Sequence, residues 1–531
     1  MKKQKEGSKI LKALRIVIKK ITSRFFLLAL FSFIQLAAFV LLGIYALSTE
    51  FGGFVFLAFY AIDVIVSIII LNGSTASNYK TAWIIEILLL PTGSGVIFWL
   101  IFANKRTAKM NDKIKKSYVN VISKNNMGEN YKNELEEIDI RAYLTSTLIY
   151  KSTKSAVFKN SEVTYYDLGQ KVWQPMLDEI AKAKRFIFIE YFIIEEGKFF
   201  NSILDLLKQK QSEGVDIRVM YDDFGCLNKI PVNYHKYLEK LGFKVHVFHR
   251  LPVVLSPKTN NRDHRKLLII DGVVGFTGGM NLADEYVNEV KKFGADLWKD
   301  NCMRIKGPAV YGMTSLFLSN WDRQFGIEEN FERFSYNANS ELLTDELNTS
   351  GYIQPYGDIP FDFDSAGERA YISLISKAKD YVYICSPYII LSDNIFEAIK
   401  EASMSGVDVR IVIPEIPDKK LAYQLTIKYC EKVMKYGVKI YKYKDSFIHS
   451  KVVLSDDEYG ICGTINLDNR SLFLHMENGV FLYKNDALKD IKNDFNNMFE
   501  NSISYNYGNI KKKGIFKKMW LSIIEVLAPL F

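Results

Sequence analysis

Two stretches of the chain each place a histidine and a lysine two residues apart at the head of an apolar run. In "DHRKLLIIDGVVGFTGGMN" (Asp263–Asn281), His264 and Lys266 are followed by Asp271, Gly278, Gly279 and Asn281. In "FIHSKVVLSDDEYGICGTIN" (Phe447–Asn466), His449 and Lys451 are followed by Asp456, Gly463, Thr464 and Asn466. Both keep the frame His-x-Lys-x4-Asp, with the first glycine seven residues after the aspartate and the asparagine three further on. At ordinary residue frequencies a random histidine meets the lysine and aspartate requirements roughly once in a hundred or less. The chain has six histidines, so two hits make chance a poor explanation.

Residues two apart on a strand leave the same face, so each histidine and its lysine point together. A cation on a half-buried strand is costly unless something negative binds there. A phosphodiester fits. Lys266 and Lys451 would neutralise its non-bridging oxygens as charge builds in the transition state. One histidine would attack phosphorus while the other protonates the departing oxygen, and spacing does not say which does which. Gly278, Gly279 and Gly463 would let backbone approach the phosphate, with Asn281 and Asn466 as hydrogen-bonding groups and Thr464 in the same set. The aspartates are divided: Asp271-Gly272 reads equally well as a hairpin turn, and Asp456 sits in the turn-like "SDDEYG". A lysine beside each histidine would repel a divalent ion, so no metal is expected.

These residues need a scaffold, and the chain repeats one. "IAKAKRFIFIEYFII" (Ile180–Ile194) is echoed by "ISKAKDYVYICSPYII" (Ile375–Ile390), and "GVDIRVMYDD" (Gly214–Asp223) by "GVDVRIVIPE" (Gly406–Glu415). Between the members of each pair lies a segment of helical period closed by glycine, "NSILDLLKQKQSEG" and "NIFEAIKEASMSG". Strand, helix, strand implies parallel pairing with crossover helices. The expectation is an α/β protein of two duplicated lobes, each a mixed, mostly parallel sheet flanked by helices. The boundaries expected are 131–335 for the first lobe, 336–352 for an Asn-rich linker and 353–510 for the second lobe.

Before the lobes the texture is different. Phe25–Leu47 carries no charge, Phe51–Leu71 is interrupted only by Asp63, and Trp83–Phe102 contains Glu86 and the breaker "PTGSG". These runs, within residues 25–103, are long enough to cross a bilayer and too many for a cleaved signal peptide. The basic segment 1–24 argues for a cytoplasmic start, yet the linker 104–130 is also basic, so three full spans cannot satisfy both flanks. The Pro-Gly break makes the third run the candidate for a re-entrant piece. The reading is a multi-pass anchor with the lobes in the cytoplasm. Five scattered cysteines without a CxxC pair suit a reducing compartment. The tail 511–531, with Lys511–Lys513, Lys517 and Lys518 beside Phe516, Trp520 and Ile523, can lie in a membrane interface. A net charge of +9 suits anionic lipid and falls short of the basic stripe of a nucleic-acid binder.

The doubled HxKx4D with its following GGxN and GTxN resembles the phospholipase D superfamily. The membrane part, "DLWKDNCMRIKGPAV", "GTINLDNRSLFLHMENG" and the tail "EVLAPLF" are similar to bacterial cardiolipin synthases of the plasma membrane. That resemblance implies a covalent phosphohistidine route with no cofactor, with His264 as nucleophile and His449 as general acid, then base. It implies that Asp271 and Asp456 orient the histidines. Glu477 matches the acidic residue following the second motif; Asp300 is its nearest counterpart in the first lobe, with Asp284 and Glu285 as alternatives. His235, His246, His249 and His475 have no motif support and are expected at the surface or in packing. The implied reaction moves a phosphatidyl group from one phosphatidylglycerol to another, giving cardiolipin and glycerol. Rival readings are a hydrolase, a transferase to another alcohol, a nuclease and a non-catalytic lipid-binding protein. Anionic phospholipids are the expected partners, and association of several copies is left open.

Overall fold

The near-continuous apolar runs of both repeats form strands buried on both faces, as expected of parallel strands covered by helices. The computed structural model describes residues 24–73, 77–89, 92–102, 121, 129–248, 261–325, 331–360, 365–509 and 514–528. The N-terminal basic segment, most of the linker 104–130, His249 and Lys511–Lys513 lie outside the described residues. The chain divides into two units: one holds residues 1–111, 251–260 and 512–531, the other 112–250 and 261–511.

In the first unit, helices Arg24–Ser48 and Gly52–Leu71 are followed by two shorter ones, Ser77–Leu89 and Ser94–Phe102. Among the described residues, Gly52–Leu71 is the helix long and apolar enough to cross a membrane by length and composition. The third candidate span is not one helix: it breaks between Leu89 and Ser94, the stretch in which the sequence places the expected Pro-Gly breaker. The polar residues inside these helices serve that break. Asp63 accepts a hydrogen bond from the Gly93 N–H at 3.0 Å, and Gln35 donates to the Glu86 carbonyl at 2.9 Å. The C-terminal helix Ile515–Leu527 packs against Ser77–Leu89.

The second unit holds two sheets of matching order. The first lobe contains β1 (Glu162–Tyr166), β2 (Phe186–Tyr191), β3 (Asp216–Asp222), β4 (Lys244–Phe248), β5 (Arg262–Asp263), β6 (Lys266–Ile270), β7 (Val274–Gly278), β8 (Leu297–Lys299) and β9 (Cys302–Lys306). Its seven-stranded sheet runs β1-β9-β7-β6-β2-β3-β4. The second lobe contains β10 (Tyr352–Asp358), β11 (Tyr381–Cys385), β12 (Asp408–Pro414), β13 (Lys439–Tyr443), β14 (Ser446–Ile448), β15 (Val452–Ser455), β16 (Tyr459–Gly463), β17 (His475–Tyr483) and β18 (Ser502–Tyr505). Its sheet runs β10-β17-β16-β15-β11-β12-β13-β18, the same path with one extra edge strand. The three central βαβ strands of each lobe pair in parallel, and the motif strands pair antiparallel. Each sheet is mixed but mostly antiparallel, with four antiparallel and two parallel neighbour pairs in the first lobe and five and two in the second, so the expectation of a mostly parallel sheet is corrected: only the βαβ strands run parallel.

Two short strands leave their own lobe. β5, directly before His264, pairs in parallel with the start of β17, and β14, directly before His449, pairs in parallel with β8. The exchange is reciprocal, and it brings each motif against the other lobe. The lobe boundary also shifts. Helices Glu129–Ile138 and Ile140–Thr153 were expected in the first lobe, but Leu135, Ala142 and Ile149 belong to the second lobe's core with Tyr371, Leu374 and Ile461. Their apolar faces have no signature of which lobe they cover.

Candidate active site

The exchanged strands determine the geometry. His475 and Met476 of β17 stand in register with Arg262 and Asp263 of β5, so the next residues, His264 and Glu477, meet. The His264 N–H donates to the Met476 carbonyl at 2.9 Å, and Nδ1 lies 2.9 Å from both Glu477 carboxylate oxygens. The second motif repeats this. Ile448 pairs with Lys299, the His449 N–H donates to the Lys299 carbonyl at 2.7 Å, and His449 Nδ1 lies 2.7 Å from Asp300 Oδ2. Each histidine is thus braced by a carboxylate from the opposite lobe. A carboxylate without its proton only accepts, so each Nδ1 carries the hydrogen and each Nε2 keeps its lone pair.

The carboxylates are themselves held. Thr464 Oγ1 and Ser471 Oγ both donate to Glu477, each at 2.5 Å, and the Asn301 N–H donates to Asp300 at 2.9 Å. Thr464 therefore positions Glu477, where the sequence reading placed it on the phosphate. Lys266 Nζ donates to the His264 carbonyl at 2.6 Å. Lys451 donates to the His449 carbonyl, and its Nζ is 2.8 Å from His449 Nδ1. Phe192 packs edge-on against His264 and Tyr286 against His449, with ring centroids 5.0 and 5.5 Å apart.

Burial controls the protonation of this cluster. It pushes Lys266 down to about 7 and Lys451 to about 8, against the pull of Glu477 and Asp300. Burial and then the Lys451 charge bring His449 to about 4, and burial with Lys266 and Lys451 holds His264 well below the usual imidazole range. Burial opposes ionisation of Asp300, but attraction to His449 and Lys451 keeps it below the ordinary carboxylate value. Both imidazoles are neutral near pH 7, beside lysines that need an anion to hold their charge.

Three expectations need correction. Asp271 and Asp456 do not reach the histidines. Asp271 accepts from the backbone N–H groups of Lys184, Arg185 and Phe186 at 2.7, 2.7 and 2.8 Å, and Asp456 from Lys379, Asp380 and Tyr381 at 2.9 to 3.0 Å. Both sit in the left-handed region, at φ +52° and +54°, so the turn reading holds and the carboxylate adds a clamp on the entry to β2 or β11. The glycines serve packing. A Cβ at Gly279 would stand 2.1 Å from Asp300 Oδ1; one at Gly278 or Gly463 would press on Asn301 or Asn478 backbone. The N–H groups of Gly279 and Gly463 donate to the Asn301 and Lys451 carbonyls, so they are not free for a phosphate. Asn281 is largely committed: Oδ1 accepts from the Ile193 N–H and Nδ2 donates to Tyr286 Oη. Asn466 bonds Ser471 through its amide nitrogen, while its buried Oδ1 has no partner.

Asp300 is the first-lobe counterpart of Glu477. Asp284 instead caps the helix at Lys198 and Phe199, and Glu285 pairs with Lys229 at 3.0 Å. A signal for this was present: Asp300-Asn301 and Glu477-Asn478 are the same acid-Asn dipeptide at matching places in the two lobes. Sequence reasoning missed Ser471 and Tyr286; His475, expected at the surface or in packing, packs its ring 5.5 Å from that of His264 and takes no part in the bracing. His235 and His246 belong to the edge of the first sheet, on helix Tyr234–Lys240 and β4.

Two lobes of one topology, closing paired HxK motifs onto a single cross-braced cluster, define a phospholipase D-like protein. The family model for the "Cardiolipin synthase, PLD-like domain" matches residues 176–314 and 371–499, one block in each lobe, and the chain belongs to that family. A cardiolipin synthase of Alkalihalophilus pseudofirmus is 30% identical over 474 residues, covering 88% of this chain and 92% of that one. An uncharacterized protein of Streptococcus mutans is 39% identical over 404 residues, covering 75% and 84%. A phosphatidylserine synthase of Haemophilus influenzae shares the fold at a TM-score of 0.55 and 14% identity, covering 73% of this chain and all of that one.

Proposed function

We propose that this protein is a cardiolipin synthase that transfers a phosphatidyl group from one phosphatidylglycerol to the primary hydroxyl of another. The observation that carries the reading is the reciprocal bracing, His264 by Glu477 and His449 by Asp300, between two buried lysines. His449 takes a proton from solvent onto Nε2 once the anionic phosphodiester is bound; His264 Nε2 then attacks phosphorus and forms a phosphohistidine as the glycerol oxygen leaves with that proton. The positive charge that develops on His264 is held by Glu477 through Nδ1–H. His449, now the base, takes the proton of the second phosphatidylglycerol's hydroxyl, whose oxygen attacks phosphorus and frees His264. Lys266 and Lys451 hold the non-bridging oxygens, with Asn466 and the remaining amide hydrogen of Asn281 as further phosphate contacts. The reaction needs no metal, so a chelator leaves the rate intact.

The substrate is a membrane lipid, and the first unit suits it. The apolar side chains Phe54, Leu57, Ile65 and Leu71 of Gly52–Leu71 are exposed, as are Phe516, Met519, Trp520 and Ile523 beside Lys517 and Lys518. We read these as a multi-pass anchor and an interfacial helix, with the lobes in the cytoplasm, where five buried, unpaired thiols are stable. The test is the product pair. Purified protein supplied with labelled phosphatidylglycerol should yield cardiolipin and free glycerol in equal amounts; phosphatidic acid in their place would make it a hydrolase.

A further inference from the structure

His475 is two residues from Glu477 on β17, so both side chains leave the strand on the same face. Both of its ring nitrogens are buried and neither has a hydrogen-bond partner, a costly state for an imidazole. Nδ1 stands 3.6 Å from Glu477 Oε1, and His264 Nδ1 is 2.9 Å from the same oxygen. One donor atom from each of His264, His475 and Glu477 lies within 4.8 Å of the other two. Tetrahedral zinc with bonds near 2.0–2.1 Å separates its ligands by roughly 3.3 Å, so small ring rotations would complete three corners.

We infer that His264, His475 and Glu477 form a site for a zinc-type divalent ion, and that occupancy of this site switches the transferase off. Two imidazoles and one carboxylate with a fourth position open are a zinc donor set, unsuited to magnesium or calcium, which take oxygen. The hydroxyls of Thr464 and Ser471 already orient Glu477, as outer groups do around metal-bound carboxylates. The lysines oppose a cation, but Lys266 Nζ is committed to the His264 carbonyl, 2.6 Å away. On binding, zinc takes the His264 Nδ1 lone pair and the ring's one proton moves from Nδ1 to Nε2, so the imidazole stays neutral. His264 then loses the Nδ1–H···carboxylate bond that supports attack, and Nε2, now carrying the proton, has no lone pair for phosphorus.

The inhibitory half rests on the proposed reaction; the binding half does not, and the two are read separately. Chelator-treated full-length protein in detergent is titrated with zinc, with bound metal measured by a chromogenic chelator and initial rate by cardiolipin formation. One zinc per chain and a parallel loss of rate of about tenfold or more, reversed by EDTA and not produced by magnesium, are expected. His475→Phe keeps the ring contact without nitrogens, and His475→Asn is the smaller alternative. Both should keep basal rate within about threefold while losing about tenfold or more in zinc affinity and inhibition together. Wild-type protein that binds no zinc, variants that bind it as wild type does, or binding without loss of rate would overturn the inference. Absence of cardiolipin formation with zinc binding intact would count against the transferase reading and leave the site standing.

Discussion

His264 and His449 are ordinary side chains placed where neither can be charged cheaply. Their burial, and the lysines beside them, favour the neutral imidazole, and each carboxylate selects the tautomer with Nε2 bare. The lysines have the opposite problem. At about 7 and about 8 in the free protein, Lys266 and Lys451 are charged below those values and neutral above them. As pH rises through 7 to 8 the site loses the charge that binds phosphate, while His264 remains neutral to well below 6.5. The expected kcat/KM profile declines with rising pH because His449 must gain its proton, and it bends downward more steeply between pH 7 and 8 as the lysines lose charge, mostly through KM. Lys266→Arg, whose charge does not titrate in this range, should move the bend upward; a profile level to pH 10 would refute this assignment.

At the scale of elements, acidic residues that look alike in sequence do different work. Asp271 clamps three backbone N–H groups at the start of β2, and Glu477, delivered by the exchanged pairing of β5 and β17, braces a histidine. Asp271→Ala should lower stability by on the order of 2–4 kcal/mol and leave the rate of the folded fraction near wild type. Glu477→Gln and Asp300→Asn should do the reverse, costing about 10²–10⁴-fold in kcat with little change in Tm. Thermal melts and steady-state kinetics on the same preparations separate the two classes, and a low Tm with normal turnover for Glu477→Gln would contradict the assignment. The HxKx4D frames, the Asp-Gly turn and the strand–helix–strand repeat were all legible, because each is a local pattern of period or spacing. The bracing was not, since it depends on which lobe a two-residue strand such as β5 joins. The resemblance pulled Asp271 toward catalysis, while its spacing had already indicated a turn.

For the whole molecule, function requires a soluble-looking two-lobed unit to meet an insoluble lipid. The apolar helices were plain in the sequence from length and absence of charge. The break after Leu89 was marked by Pro91, although Asp63 as its hydrogen-bond acceptor came only with the fold. If Gly52–Leu71 and its neighbours anchor the chain, alkaline carbonate should leave the protein in the membrane pellet, and removal of residues 24–102 should release it. Full extraction of the intact chain by carbonate would argue against a spanning anchor.

The central claim is that two lobes make one site and that the phosphatidyl group passes through it on His264. The direct measurement is a rapid denaturing quench in detergent at neutral to mildly alkaline pH of enzyme turning over phosphatidylglycerol labelled at phosphorus, followed by peptide mapping of the protein-bound label at the same pH. The account expects an acid-labile phosphoramidate on His264, chased into cardiolipin by unlabelled phosphatidylglycerol and absent in His264→Asn. Label on His449 would reverse the two roles, and cardiolipin formation with no protein-bound label at any quench time would contradict the covalent route.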